Sequence, residues 1–276
     1  MSIASGDTAL RALTISNTGG SDLHVTLHRE LAGGLPATGR FVGSRAARPV
    51  PGFGAAPSLA PRSDRRPAGW RAVPTSAVST PGAGILLIQD AAPWGTSADQ
   101  QVLNANGLPF DQIPTTLLAY TDLQAYRLVI VASDQPQSAY DTIQGQASQF
   151  AAFVSAGGVL EFHAAGWGVN GGSSSGIMLP GGVTIATQFA DSNTVLIPTH
   201  PAVAGVPSTF GGNYASHAAL GALPPGAAVI TIDQTHSPTL IEYAYGAGLV
   251  IASGQALEFG FATGEATGVI LQNLIP

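Results

Sequence analysis

The chain has 276 residues, of which 45% are hydrophobic and only 9% charged, with 35 glycines, 20 prolines and a net charge of −6. That is chain enough for one large domain with an appendage, and too apolar for a disordered protein. With no cysteine there is no thiol catalysis, no disulfide and no thiolate metal site.

The charge is unevenly placed. Up to residue 84 nine arginines face four acidic residues, a balance of +5, whereas the remainder sets the single Arg127 against twelve acidic residues, a balance of −11. An acidic body is a poor nucleic-acid surface, and the arginine-rich stretch reads as a solvated linker. No apolar run approaches the ~18 residues of a membrane-spanning helix. The opening MSIASGDTALRALTI has no basic flank followed by a long apolar stretch, so no signal peptide is visible.

In residues 9–28, Leu13 and Ile15 alternate with polar neighbours, Asn-Thr-Gly-Gly-Ser follows, and Leu23, Val25 and Leu27 alternate again. Period two on both sides of a glycine turn predicts a β-hairpin. Residues 32–84 carry glycine, proline and seven arginines without a sustained period, as a linker would. From Gly84 the texture changes. Strands are expected at Ile85–Gln89, Phe110–Ile113, Arg127–Ala132 and Val159–Phe162, with helices at Thr96–Asn106 and Gln137–Ala156 between them. Alternation at this pitch gives a parallel sheet built from right-handed crossovers. Beyond a Gly/Ser-rich loop at 170–182, THPAVAGVP reads as a turn leading into a short segment. Strands at Ala227–Asp233 and Thr239–Tyr245, a hairpin return over Leu249–Ala252 and a last helix at Thr267–Leu274 complete the reading.

Two resemblances accompany this pattern. The phrase LTISNTGGSDLHVTL resembles the start of immunoglobulin-like modules of bacterial surface proteins, which implies a partial module over residues 1–31. The phrases ILLIQDAAPWG, LVIVASDQP, GGVLEFHAAGWG, THPAVAG and IEYAYGAGLVIASGQALEFGF, in that order, resemble the class I glutamine amidotransferase-like fold. The nearer likeness is to the trehalose-utilisation type and related domains of microbial extracellular proteins. The implied fold class is α/β: a mostly parallel, flavodoxin-like sheet flanked by helices over residues 85–276, with the N-terminal hairpin and the 32–84 linker ahead of it. The implied location is extracellular or at the cell surface. In catalytic members a cysteine nucleophile follows the strand matching Val159–Phe162. Here that place belongs to His163, or to Ala164 after a one-residue slip. The family's later His-x-Glu pair falls on Ala256 and Glu258, so the base is missing too. Glutamine hydrolysis needs both groups, and fold likeness does not supply them.

By the resemblance, Asp90, Trp94, Asp134, His163 and Trp167 follow the ends of parallel strands and gather at one crevice, with His200, His217 and Glu258 arriving from later loops. Trp94 stands four residues after Asp90, and Trp167 four after His163. Several readings are open. His163, His200 and His217 have metal-ligand chemistry, without any close spacing motif. Asp134 and Glu258 could form an acid/base pair with His163 beside them. Asp90, Trp94, Asp134, His163, Trp167 and His217 could form a sugar-binding groove, by ring stacking and hydrogen bonds. The tryptophans could also be plain core. The leading expectation is a non-catalytic binding or structural module of a larger microbial surface protein, its partners a carbohydrate or neighbouring domains. No glutaminase activity and no cofactor are expected. The alternative is a carbohydrate-active enzyme working through the carboxylates and His163.

The seven arginines of residues 32–84 generate the first test. Limited trypsin digestion is expected to cut there long before Arg127, releasing a folded fragment that begins after Arg71. Loss of the fragment together with the linker would show instead that the linker is woven into the core.

Overall fold

The structure is a computed structural model that describes residues 84–275 and two short strands, His28–Arg29 and Ala37–Thr38. The chain divides into two compact units, Met1–Arg48 and Pro49–Pro276. Of the first, the described part is that antiparallel two-residue pair. The hairpin expected over 9–28 and nearly all of the 32–84 linker lie outside the described residues.

In the second unit, nine strands among the described residues form one sheet. They are β1 (Gly84–Ile88), β2 (Phe110–Ile113), β3 (Tyr126–Val131), β4 (Val159–His163), β5 (Thr184–Val195), β6 (Thr209–Gly221), β7 (Ala228–Asp233), β8 (Pro238–Tyr245) and β9 (Gly248–Ser253). Their spatial order is β2-β1-β3-β4-β9-β8-β7-β5-β6. The pairs from β2 to β9 are parallel and those from β9 to β6 antiparallel. The α/β class thus stands, with one amendment. The sheet is mixed, parallel in the half that begins 2-1-3-4 and antiparallel in the other. A parallel neighbour needs a crossover, whereas β8 returns to β9 through two residues, Gly246 and Ala247, and so must run antiparallel to it. Gly246 takes φ 61° at the first turn position, as two-residue hairpin turns of this kind require.

Both faces of the central strands β1 and β3 are covered, which is why Ile85–Ile88 and Leu128–Val131 read as unbroken apolar runs. Leu86, Ile88, Val129, Val131, Leu160 and Phe162 pack under α2 (Gln137–Gly145) and α3 (Ala147–Ser155). Ile85, Leu87, Leu128, Ile130 and Ile251 pack under α1 (Ala98–Ala105), α4 (Leu257–Thr263) and α5 (Ala266–Leu274). The single helix expected over Gln137–Ala156 is broken at Gln146, directly after Gly145. The two longest strands, β5 and β6, lie on either side of the THPAVAGVP turn, in stretches for which the sequence pattern predicts no strand. Register shifts on either side of Ala190 interrupt their alternation, and half-exposed edge positions carry polar side chains, so no period of two shows in the sequence.

Position 248 is where α3, β4 and β9 meet. A Cβ there would overlap the carbonyl oxygens of Val154 and Gly158. Gly248→Ala is expected to cost about 1–3 kcal/mol through overpacking against backbone, read as a lowered urea midpoint with unchanged slope. An unaltered midpoint would show that the three elements can part enough to admit a methyl group.

Candidate functional site

The carboxyl ends of β1, β3 and β4 open on one edge of the sheet, and the first residues beyond each strand are held to one another by side-chain clips. Gln135 accepts hydrogen bonds from the amides of Asp90 and Ala91 (2.7 and 2.9 Å) and donates to the carbonyls of Ala91 and Ser133 (3.0 and 2.7 Å). Asp134, with φ 46° and no exposed surface, accepts from the backbone amides of Trp94, Gly168 and Val169, each at 2.9 Å, and more distantly from Asn170. Burial pushes its carboxyl up to about 6, while these amides pull the other way. Gly168 has no room for a side chain, since a Cβ would overlap both the Trp94 ring and the Asp134 carboxyl group.

Beneath these clips lies a sealed ionisable cluster. Glu161 and His163 are two apart on β4 and share its α1/α4 face. His163 Nε2 is 2.8 Å from Glu161 Oε1, and Nδ1 is 2.8 Å from Glu258 Oε1. With a carboxylate on each side, both ring nitrogens donate. Burial alone would lower the basicity of His163, but Glu258 and Glu161 outweigh it and hold the imidazolium well above the usual histidine range. Burial likewise works against the Glu258 carboxylate. The His163 charge, with hydrogen bonds from the Ser133 amide (3.0 Å) and hydroxyl (2.6 Å), overcomes it and leaves Glu258 below its ordinary range. Asp99, from the first turn of α1, completes the group, its Oδ1 3.7 Å from His163 Nδ1. Burial, reinforced by Glu258, raises its carboxyl well above the ordinary value. None of the four side chains has appreciable exposed surface.

Above the clips the surface is aromatic. His217 donates from Nδ1 to the carbonyl of Gly166 (2.7 Å), which leaves Nε2 as the unprotonated nitrogen of a neutral ring; burial also lowers its basicity. Trp94 and Phe189 stand edge-on to it with ring centres at 4.9 Å, and Tyr214 at 5.9 Å. Phe189 and Tyr214 are 46% and 48% exposed, and Trp167, whose indole reaches Thr187 on the same strand as Phe189, is 54% exposed.

The sequence candidates therefore separate. Asp134, His163, Glu258, Trp94, Trp167 and His217 do meet at this edge, at different depths. Trp94 is 7% exposed and presents no stacking face; its indole N–H is spent on Ser133 Oγ (2.9 Å). Asp90 turns outward to cap Thr115, accepting from its amide at 2.5 Å and its hydroxyl at 2.9 Å. His200 caps Ala202 and pairs with Glu242 (3.4 Å). His163, His200 and His217 do not form a common ligand set; among the described residues the group that gathers is Asp99, His163 and Glu258. Sequence reasoning passes over Asp99, Glu161, Ser133, Phe189 and Tyr214. Glu161 alone carries a signal, as the one acidic residue within an apolar five-residue strand.

No known family's sequence profile matches the chain. An uncharacterized protein of Clostridium acetobutylicum is 32% identical over 178 residues, a match covering 63% of this chain and 18% of that protein. The chain thus spans under a fifth of the length of the curated relative it matches. Among solved structures, a cytoplasmic protein of Salmonella typhimurium is 13% identical, with 70% of this chain and 98% of that one covered, at a TM-score of 0.49. A GMP synthase-type protein from Thermoplasma acidophilum is 14% identical over 68% and 94%, at 0.46. An exo-β-1,4-mannosidase from an Opitutaceae bacterium is 15% identical over 66% and 33%, at 0.40. None of these scores reaches 0.5, and none says what this chain does.

The Asp134 clip makes a definite prediction. Asp134→Asn replaces one acceptor oxygen by a donor facing backbone amides, and is expected to cost about 2–3 kcal/mol. Chemical denaturation reads that loss; a change within error would mean that the amides find other partners.

Proposed function

We propose that this chain is a non-catalytic carbohydrate-binding module of a larger protein, with the glutamine amidotransferase-like layout that its sequence phrases resemble. The observation that carries the reading is the exposed aromatic group formed by Trp167, Phe189 and Tyr214, standing over ionisable side chains that have no access to solvent. Exposed rings gathered in one place are a binding surface more often than an accident of packing. Aromatic faces suit the apolar face of a sugar ring, and the hydroxyls of Ser173 and Thr187, 3.1 Å apart beside the indole, suit its polar rim. Catalysis through Asp134, Glu258 or His163 would need those groups to reach a substrate. Asp134 is spent on backbone amides, and Glu258 and His163 on each other. The short match to a much longer relative supports membership of a multidomain protein. Among the described residues no helix is long and apolar enough to cross a membrane.

The test uses the full chain against immobilised neutral oligosaccharides, followed by titration of any hit. Trp167→Ala is expected to weaken binding by about tenfold, the equivalent of roughly 1.4 kcal/mol. For so exposed a ring the stability change is expected to stay within about 0.5 kcal/mol. Ammonia release from glutamine is expected to remain at background. A screen that is blank at millimolar concentration, or binding indifferent to Trp167→Ala, would sink the reading.

A further inference from the structure

The sealed cluster contains one carboxylate too many. His163 has two ring nitrogens, and Glu161 and Glu258 satisfy both. Asp99 is then left over. It has no exposed surface, and neither of its oxygens has a hydrogen-bond partner among the described residues. A buried carboxyl group with no hydrogen bond is costly whether ionised or not, and the His163 charge 3.7 Å away is already shared with two glutamates. Buried groups of this kind are ordinarily compensated more fully, by hydrogen bonds or a metal. The Asp99 carboxylate faces the same point as its neighbours: one ligand atom each from Asp99, His163 and Glu258 lies within 4.8 Å of the others.

We infer that Asp99, His163 and Glu258 hold a divalent cation, of which zinc suits the donor set best: one imidazole nitrogen and carboxylate oxygens. Nδ1 is 2.8 Å from Glu258 Oε1 and 3.7 Å from Asp99 Oδ1. Tetrahedral zinc, with bonds of about 2.0–2.2 Å, sets its ligand atoms roughly 3.3–3.6 Å apart. The ion would part the first pair by about half an ångström and draw the second together. It takes the place of the Nδ1 proton, and the second Asp99 oxygen can supply the fourth ligand.

The surroundings are those of a ligand set already oriented. Nε2 of His163 donates to Glu161, the carboxylate–histidine arrangement that fixes a metal-binding ring. Glu258 is held by the amide and hydroxyl of Ser133. Both Asp99 and Glu258 lie in the first turn of their helices. Bound there, the ion links α1, β4 and α4 from inside, as a closed structural site does. The cation site and the aromatic surface above it stand or fall separately.

The experiment measures metal content of the full chain purified without chelator, then the thermal midpoint of chelator-stripped chain with and without zinc. Expected are about one zinc per chain in the protein as purified and a midpoint raised by zinc but not by magnesium. Asp99→Asn is expected to abolish both, and Glu161→Gln to weaken zinc binding by about 10- to 100-fold. Asp99→Asn also separates the readings by sign. Without an ion it relieves an unpaired buried carboxyl and leaves the chain as stable or more so; with one it removes a ligand and lowers the midpoint in zinc. Absence of zinc together with a midpoint unmoved by added zinc would overturn the inference. So would zinc bound equally by wild type and Asp99→Asn.

Discussion

One carboxylate at the end of β3 is the interaction on which this edge of the protein depends. Asp134 sits in a left-handed backbone conformation that side chains seldom adopt. It holds that position by accepting from amides of two other strand-end loops. The Trp94 amide would otherwise be a buried donor without a partner, costing as much as a lost hydrogen bond. The loops after β1 and β4 therefore have the shape that satisfies Asp134, and Gln135 repeats the arrangement one residue later. Trp94 and Trp167 also take positive φ, at 54° and 61°. Strain at three non-glycine residues of one edge is tolerated where surrounding contacts over-determine the backbone.

Below that layer, charge is managed rather than avoided. Three carboxyl groups and an imidazole with almost no access to water would be untenable as independent ions. The sequence spacing of β4 puts Glu161 and His163 on one face, and the first turns of α1 and α4 bring Asp99 and Glu258 to them. The imidazolium is the charge that holds Glu258 below its ordinary range, and its other nitrogen donates to Glu161. Asp99 is the remainder; the cation assigned above, in place of the Nδ1 proton, would supply the positive charge and account for Asp99 as well, with the same three elements.

Above the layer the logic reverses. His217, neutral and bonded to Gly166, acts as an aromatic tile between Trp94, Phe189 and Tyr214. Side chains able to do acid–base chemistry are beneath, and side chains able to grip an uncharged ring are outside. The binding role proposed above rests on that separation.

Residue pattern alone was enough for the α/β class, the parallel strands between residues 85 and 162 and the crossover helices, because central strands buried on both faces, such as β1 and β3, are written as unbroken apolar runs. It also brought out the strand ends as the place where ionisable and aromatic residues collect, and the missing cysteine. Depth, by contrast, was settled only by packing. Asp90, Trp94, Asp134, His163 and Trp167 stand at similar offsets from their strands, yet Trp94 is enclosed, Trp167 exposed and Asp90 turned away. Offset along a chain sets direction from a strand end, not how many neighbours close over it. Phe189 and Tyr214 belong to strands whose register shifts erase the period that would have betrayed them. Asp99 reads locally as an ordinary acidic residue in a helix's first turn. Its place beside His163, 64 positions along the chain, is fixed only when α1 packs across the sheet, because contact between distant residues is a property of packing and leaves no mark on local pattern.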